Sequence, residues 1–253
     1  MSDRPLRLRA ASRSDVGRVR SANEDSYIER PDMGLWVVAD GMGGHANGRW
    51  ASGTIIDAIA PLTSSGDFDI DIQRVADAIH AANRKIHDRT IADGASMGST
   101  VAALLVQDGF FSVLWVGDSR VYLLRNGVLH QLSKDHTQVQ EMVEAGLLTP
   151  EEARTHPMSH VLARAVGVEP SLEIDVIVDE AEVGDSFLLC SDGLTARVSN
   201  EEIAAAMATG SQPQITASSL VELCLERGAP DNVTAVAVAC EEITRLSLAS
   251  AAG

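Results

Sequence analysis

Short apolar runs bounded by turn residues predict a largely β framework. Strands are expected at residues 6–12, 26–30, 35–39, 99–106, 110–116, 120–125, 128–132, 172–178, 186–191 and 233–240. Asn126-Gly127 separates two of these runs by only two residues, and both residue types accept positive φ. Strands joined by so short a turn pair antiparallel. The pattern therefore predicts antiparallel sheets.

Helical spacing of apolar residues occupies the intervals between these runs. Helices are expected at about 50–62, from 72 through the following amphipathic stretch, from 138 to 156, from about 199 to 207, and finally up to Arg227. Thr149-Pro150-Glu151-Glu152 has the form of a capping box, with proline at the first helical position. Hairpins combined with separate helix pairs predict an α+β fold, in which helices cover an antiparallel β core, rather than a parallel α/β sheet.

Composition limits the classes of partner. The 253 residues fit one large domain or two small ones, and their net charge of −16 disfavours nucleic acid and anionic membranes as partners. No apolar run approaches the roughly 18 residues of a membrane span. The three cysteines are odd in number, far apart, and two lie in apolar runs, which indicates buried free thiols in a reducing compartment. We therefore expect a cytoplasmic protein.

Acidic residues recur where apolar runs begin or end. Three runs terminate in Asp followed by Gly or Ser, one run is preceded by Asp-Asn, and another by Glu-Asp. A single Asp at such a place is ordinary turn chemistry. Because these residues occupy equivalent positions next to the apolar runs, we expect them to meet at one edge of two stacked sheets. Its members are Glu24, Asp25, Asp40, Asp118, Asp192, Asp231 and Asn232.

Clustered carboxylates require a counter-charge. Each close pair repels by roughly 1 kcal/mol in water and by about 4 kcal/mol at an effective dielectric constant near 20. Hard oxygen ligands without His or Cys favour Mg²⁺ or Mn²⁺ over zinc. Gly41 follows Asp40 directly, and a glycine lets the backbone turn sharply and brings its carbonyl oxygen close to an ion.

Two other interpretations of the glycine-rich segment after Asp40 stay open. Residues 41–46 match G-x-G-x-x-A after a strand, which would fit a Rossmann dinucleotide site, but Asp40 would repel the pyrophosphate and no acidic strand end follows about 20 residues later. His45 is suited equally to proton donation and to filling a turn. His156 and His160 lack the glutamate of a zincin pair and are expected on a mobile surface segment.

Six ordered motifs resemble the metal-dependent (type 2C) Ser/Thr protein phosphatases, and most closely their compact bacterial branch. They are VRSANED, VVADGMGGH, GST, VGDSR, LCSDGL and DNVTAVAV, and the match covers about residues 8–240. The resemblance implies a central antiparallel β-sandwich flanked by helix pairs, in four α-β-β-α layers. It also implies two Mn²⁺ or Mg²⁺ ions, with a third, weaker ion expected, and hydrolysis of phosphoserine and phosphothreonine on proteins.

The resemblance also assigns roles to individual residues. Asp40 would bridge both metals, Asp192 and Asp231 would complete the first site, Gly41 (through its carbonyl) and Glu24 would serve the second, and Asp118 with Asp192 would hold the third. Arg20 would grip the phosphate. Asp25 and Asn232 would act from the second layer around the metals, with Asp25 ordering the attacking water.

The chain departs from the family pattern at a few positions. Met42 stands where eukaryotic members carry His, which leaves proton donation to His45 or to solvent, and Arg49-Trp50 replaces a common acidic residue. We expect one catalytic domain at 1–242, a flap at about 135–166 and a short tail at 243–253. The expected partners are phosphoproteins, including a bacterial Ser/Thr kinase and its substrates; a pseudophosphatase that binds phosphoproteins without hydrolysis is the alternative.

Overall fold

A computed structural model of the chain describes residues 6–44, 46–208 and 212–242. The strands in these ranges are β1 (Leu6–Asp15), β2 (Asp25–Arg30), β3 (Leu35–Met42), β4 (Gly98–Ser99), β5 (Val101–Gln107), β6 (Phe110–Val116), β7 (Arg120–Arg125), β8 (Val128–Gln131), β9 (Asp175–Glu180), β10 (Ser186–Cys190) and β11 (Val233–Glu242). The helices are α1 (Ala46–Ile59), α2 (Phe68–Asp93), α3 (Gln138–Glu144), α4 (Pro150–Thr155), α5 (Asp192–Thr195), α6 (Asn200–Ala208) and α7 (Pro213–Glu226).

The strands form two sheets in which neighbours pair antiparallel. One sheet has the order β1-β11-β10-β7-β8, and the other has the order β2-β3-β5-β6-β9, with the short β4 paired to β3. Because β3 has antiparallel neighbours on both sides, it is not the first strand of a parallel βαβ unit. The Rossmann alternative for residues 41–46 is therefore wrong.

Three apolar clusters show how the layers stack. Trp36 and Val113 of one sheet pack with Val121 and Phe187 of the other, so the space between the sheets is one core. Helices α1 and α2 cover the outer face of the sheet that contains β3. Helices α6 and α7 cover the outer face of the sheet that contains β11. The predicted α-β-β-α sandwich is confirmed.

Local sequence signals are confirmed at several turns. Asn126 and Gly127 both have positive φ, at 53° and 78°, in the turn between β7 and β8. Thr149 and Glu152 form a reciprocal capping box at the start of α4. The predicted helix at 138–156 is divided, because Gly146 (φ 70°) stands between α3 and α4. Positive φ is favourable for glycine but stops a right-handed helix.

The cysteines and the helices bear on the expected compartment. Cys190, Cys224 and Cys240 are free and buried, which confirms the prediction for the two cysteines in apolar runs, Cys190 and Cys240. In the part of the chain that the structure describes, no helix is both long and apolar enough to cross a membrane.

Candidate active site

One cavity at an end of the sandwich collects the predicted acidic residues. It has a volume of about 310 Å³ and opens to solvent. Strand ends from both sheets contribute to it, since β3 and β6 belong to one sheet while β10 and β11 belong to the other. Its lining includes Arg20, Glu24, Asp40, Gly41, Asp118, Asp192, Asp231 and Asn232. The sequence-predicted convergence of these positions is therefore present in the structure.

Asp40 is held inside β3 rather than after its end. Its backbone N–H donates to the Thr100 hydroxyl (3.0 Å), and its carbonyl oxygen accepts from the Thr100 N–H (2.8 Å) and from the Ser99 hydroxyl (2.9 Å). The strand continues to Met42 because it exchanges β5 for the short β4 as its partner. The expected strand end at residue 39 is thus three residues too early, and the backbone that carries Asp40 is rigidly paired.

Gly41 is required for space rather than for a sharp turn. A Cβ on this residue would lie 2.0 Å from the Gly48 carbonyl oxygen and 2.8 Å from that of Glu24. The positive φ values belong instead to Gly43 (123°) and Gly44 (82°). The expectation of a sharp backbone turn at Gly41 is therefore wrong, while the need to exclude a side chain there is confirmed.

Glu24 is positioned by its backbone and by the start of α1. Its N–H donates to the Asn232 side-chain oxygen (2.8 Å), and its carbonyl oxygen accepts from the Ser52 hydroxyl. A Cβ at Gly48 would lie 1.9 Å from Glu24 Oε2, so the first turns of α1 pass directly against the carboxylate. Asn232 also donates to the Val16 and Ala22 carbonyls (2.9 and 3.0 Å). It therefore ties the start of β11 to the loop before β2.

Arg20 reaches the cavity from this same loop. Its Nη2 lies 2.7 Å from Asp231 Oδ2, and its side chain is 53% exposed. Asp231 Oδ1 accepts from the N–H of Asn232 (2.9 Å), so both oxygens of this carboxylate have donors. The planar guanidinium still has several N–H groups for an anion. A cation thus stands at the mouth of an otherwise acidic cavity.

Asp192 and Asp118 approach from two further chain segments. Asp192 is the first residue of α5, directly after Ser191 and the end of β10. Asp118 lies in the turn between β6 and β7, where Gly117 has φ 101°. Sequence patterns did not predict the one-turn helix α5, because four residues are too few to show helical periodicity.

The crowded carboxyls raise one another's pKa values. Burial raises the pKa of Asp40 well above its ordinary range, and the neighbouring carboxylates, beginning with Asp25 and Asp192, raise it further. Burial and then the charge of Asp192 raise the pKa of Asp118 to about 8. Burial and the charge of Asp231 also raise the pKa of Asp192, while a hydrogen bond with Asp40 opposes the rise. Two carboxyls can share such a bond only when one carries a proton.

Asp25 is the most enclosed of the acidic group. It is 8% exposed and pairs across β2 and β3 with Asp40. Its Oδ2 accepts from the hydroxyls of Ser191 (2.8 Å) and Thr234 (2.7 Å). Burial raises its pKa to about 7, against the effect of these two donors. Among the described residues, its Oδ1 is buried without a hydrogen-bond partner.

This donor set fits divalent metal ions. It consists of hard oxygens, it contains a buried carboxylate oxygen that lacks a donor, and its mutual repulsion would be relieved by cations. In the described ranges, the acidic, His and Cys side chains do not already stand in groups of three at metal-binding geometry. One oxygen of Asp231 is paired with Arg20, so a metal ion at that oxygen would require the Asp231 or the Arg20 side chain to move.

Some cavity residues were not predicted, and one prediction cannot be placed. His160 is exposed, as expected of a surface segment, but it also lines the cavity together with Leu162. Thr100 lines it as well, and only the pairing of β3 with its neighbours reveals its contact with Asp40. His45 lies outside the described residues. Asp-Gly and Asp-Ser pairs at the ends of apolar runs predicted the carboxylates of the site. No local pattern marks His160 or Leu162 as residues that line it.

Comparison with known proteins gives the same classification as the motifs. Residues 18–223 match the family described as Protein phosphatase 2C. The chain is 42% identical over 238 residues to the serine/threonine protein phosphatase PstP of Mycobacterium tuberculosis, which covers 91% of this chain and 45% of that protein. It is 32% identical to the serine/threonine phosphatase stp of Listeria monocytogenes, covering 91% of this chain and 95% of that protein.

A solved structure extends the likeness to three dimensions. The catalytic domain of PstP in complex with two manganese ions is 39% identical, covers 94% of this chain and 100% of that one, and superposes with a TM-score of 0.84. The chain spans about half the length of the PstP proteins that it matches. It belongs to the protein phosphatase 2C family, the metal-dependent Ser/Thr protein phosphatases. The predicted family and its manganese or magnesium dependence are confirmed at this level.

Proposed function

We propose that this chain hydrolyses phosphoserine and phosphothreonine on proteins at the carboxylate-lined cavity. One observation carries the proposal: seven separated positions, six acidic residues and Arg20, meet at one end of the sandwich, and five of the six acids line a single cavity beside Arg20. The sixth, Asp25, is the cross-strand partner of Asp40 on β2. Relatives named serine/threonine phosphatases support the substrate class.

The acidic residues would hold two divalent ions. Asp40 would contact both ions, Asp192 and Asp231 would complete one site, and Glu24 with the Gly41 carbonyl would complete the other. When bound, such ions lower the pKa of a water molecule and neutralise phosphoryl oxygens during in-line displacement. Asp118 and Asp192 would hold a third, weaker ion. Because phosphate monoesters hydrolyse extremely slowly unaided, electrostatic stabilisation of this kind is the main requirement of the reaction.

Arg20 would bind the phosphate group. Its guanidinium is 53% exposed at the cavity mouth and pairs with one carboxylate, Asp231. A planar fork of N–H donors matches two phosphate oxygens, which the single ammonium of lysine does not. The pair with Asp231 orients the guanidinium before substrate arrives. Asp25, the cross-strand partner of Asp40, would order the attacking water.

Proton donation to the leaving serine or threonine oxygen is assigned to His45. It lies five residues after Asp40 and directly before α1. A His45→Ala variant should change the alkaline limb of the pH dependence of kcat/KM if this assignment is correct, because a proton donor loses its function when it deprotonates. An unchanged profile would transfer the role to solvent.

The partners we propose are phosphoproteins, among them a bacterial Ser/Thr kinase and its substrates. Two bacterial relatives are named serine/threonine protein phosphatase and protein phosphatase, which supports phosphoproteins as the class of substrate. The three buried free thiols support a reducing, cytoplasmic location for this domain.

Hydrolysis of p-nitrophenyl phosphate and of phosphothreonine peptides tests the proposal. Purified protein should turn over both substrates with added Mn²⁺ and lose activity in EDTA. Turnover that survives chelation would refute the metal-dependent mechanism. Tight phosphopeptide binding with no turnover at any Mn²⁺ concentration would instead establish the pseudophosphatase alternative.

A further inference from the structure

The turn that carries Asp118 is pressed against the strand next to Asp40. Gly117 has φ 101°, and a Cβ there would lie 2.7 Å from the Thr100 side chain. Thr100 also accepts the backbone N–H of Asp40 and lies 2.6 Å from the Ser119 hydroxyl. The position of this turn therefore decides where Asp118 stands relative to Asp40.

One residue from a distant segment holds this turn at both backbone groups. The Gly117 N–H donates to His136 Nδ1 (3.1 Å), and the His136 N–H donates to the Gly117 carbonyl (2.9 Å). The imidazole stacks on the Trp115 indole, with ring centroids 6.1 Å apart and planes 19° apart. The indole N–H in turn donates to the Lys134 carbonyl (2.8 Å). The ring is thereby fixed in position and orientation.

The hydrogen bond from the Gly117 N–H determines which nitrogen of the His136 imidazole carries the proton. Nδ1 can accept a hydrogen bond only when it carries no proton, so in the neutral ring the proton is on Nε2. Nε2 lies 3.3 Å from Asp175 Oδ2, although not in hydrogen-bonding geometry, and Asp175 Oδ1 accepts from Arg164 (2.6 Å). The His136 side chain is 9% exposed. Burial, followed by the positive charge of Arg164, lowers the pKa of His136 against the opposing effect of Asp175, which favours this neutral form.

His136 also contacts the flap wall of the cavity. Its carbonyl oxygen accepts from the Ala163 N–H (2.8 Å), and the next residue, Thr137, forms a β-bridge with Leu162. Leu162 lines the cavity opposite the carboxylates of the strand ends. The same residue is thus bonded to the Asp118 turn and to the flap.

We propose that His136 is a positioning residue of this site, which fixes Asp118 by accepting the Gly117 N–H at Nδ1 and which joins the Asp118 turn to the flap. This inference rests on the proposed phosphatase function only in its effect on turnover. His136 does not line the cavity, so it acts through Asp118 rather than on the substrate. A histidine with only a structural role would affect the free energy of unfolding without changing the Mn²⁺ dependence of turnover.

Two isosteric substitutions of His136 distinguish a positioning role from a purely structural role. Asparagine at 136 places an oxygen acceptor near the position of Nδ1, whereas glutamine places its amide near Nε2 and leaves the Gly117 N–H without an acceptor. We expect His136→Gln to lower kcat on p-nitrophenyl phosphate by about tenfold or more, the usual cost of losing a residue that orients a metal ligand. KM should remain within about twofold, because Arg20 rather than Asp118 binds the phosphate. His136→Asn should retain kcat within about threefold, because it restores the acceptor.

The same variants have one readout that does not depend on turnover and a second that reports the affinity for Mn²⁺. Hydrogen exchange of the peptide that covers residues 111–119, measured on metal-free protein, should be faster in His136→Gln and close to wild type in His136→Asn. The Mn²⁺ concentration for half-maximal activity should rise in His136→Gln, and we expect the same rise in Asp118→Asn. His87→Gln is the matched control, since this histidine lies on α2 away from the cavity and should leave all of these quantities unchanged.

Equal kcat in the Gln and Asn variants, or wild-type kcat in the Gln variant, would overturn the proposal. If neither variant folds, long-range ¹H–¹⁵N spectra of the wild-type protein decide the matter without substitution. An unprotonated Nδ1 coupled to the Gly117 N–H is the expected result, and a protonated Nδ1 contradicts the proposal. A wild-type protein without Mn²⁺-dependent turnover would refute the proposed function, while the hydrogen-exchange and spectral results would still test His136.

Discussion

The carboxylates at the two ends of strand β10 have opposite electrostatic surroundings. Asp185 precedes the strand and Asp192 follows it. Asp185 is 2% exposed and accepts three hydrogen bonds, from Arg125 Nε (2.8 Å), from Arg125 Nη2 (2.6 Å) and from the Glu182 N–H (2.8 Å). At this end the chain supplies the counter-charge from its own residues.

At the other end Asp192 lies among other carboxylates. Asp192 is flanked by Asp40 and Asp231; burial and the charge of Asp231 raise its pKa, while the hydrogen bond with Asp40 opposes the rise. Arg20 alone among the described cavity residues forms an ion pair with the group, and it pairs with Asp231 at the exposed mouth. Because the same strand shows that this chain can neutralise a buried carboxylate, the acidic end is best explained as a site for cations from solution.

Exchanging one carboxyl for an amide at the acidic end gives the largest expected effect. Asp40→Asn should reduce turnover by more than about 100-fold, the upper end of losses for residues that only support a metal site. The free energy of unfolding of the metal-free protein should not fall, because a repelling charge is removed. Steady-state kinetics and urea denaturation in EDTA measure the two quantities. Full activity, or a clear loss of metal-free stability, would contradict the assignment of Asp40.

Replacing the carboxyl of Asp185, at the other end of β10, by an amide should lower the stability of the protein and leave its turnover unchanged. Asp185→Asn should lower the free energy of unfolding by about 2 kcal/mol, below the roughly 3–5 kcal/mol of fully buried pairs, because Glu182 remains 3.4 Å from Arg125. Turnover per folded molecule should be unchanged. Denaturant titration with parallel kinetics checks this variant. A large loss of turnover in well-folded Asp185→Asn would remove the contrast between the two ends.

Arg20→Ala should weaken phosphate binding more than it slows chemistry. Loss of a charged hydrogen-bond donor is worth about 1.5 kcal/mol, which corresponds to roughly a tenfold rise in KM. Lysine at this position should recover only part of the loss, because it lacks the planar fork. Inhibition by inorganic phosphate should weaken by a similar factor. An unchanged KM and an unchanged inhibition constant would show that the phosphate binds elsewhere.

The smallest expected effect is a pH dependence of metal-free stability. Asp25 and Asp118 have folded-state pKa values raised from 3.8 to about 7 and about 8, so the folded chain retains protons that the unfolded chain releases. Stability from these groups is present at about pH 4 and is lost as the pH rises to about 8. Because water reaches the cavity, we expect a net loss of about 1 kcal/mol, or a few degrees in Tm.

Mn²⁺ should reduce this dependence, since it replaces the protons as the counter-charge. Thermal melts of the protein in EDTA and in Mn²⁺, across this pH range, provide the comparison. A metal-free Tm that rises steadily with pH would mean that the carboxyls are already satisfied in the folded protein.

Much of the fold could be predicted from the sequence because strand patterns are local. The predicted strands 110–116 and 120–125 coincide with β6 and β7, and the Asn126-Gly127 turn has the expected backbone. The strand at 35–39 was predicted too short. Asp40 pairs with β2, and the last two residues, Gly41 and Met42, pair with β4, which has only two residues and gives no signal of its own.

The acidic residues of the site were also visible in the sequence, whereas their arrangement was not. Alternation and turn chemistry place Asp40, Asp118 and Asp192 at strand boundaries, but only the stacking of two sheets brings the boundaries together. The pair of Arg20 with Asp231 joins positions more than 200 residues apart in the chain. The hydrogen bond from Gly117 to His136 likewise depends on long-range packing that no short motif encodes.

Anomalous diffraction from crystals grown with Mn²⁺ tests the central claim most directly. The account predicts at least two manganese peaks in the cavity, one bridged by Asp40 to the other, with Asp192 and Asp231 contacting the first. A cavity that contains no manganese at millimolar Mn²⁺, with these three carboxylates turned to different partners, would contradict it.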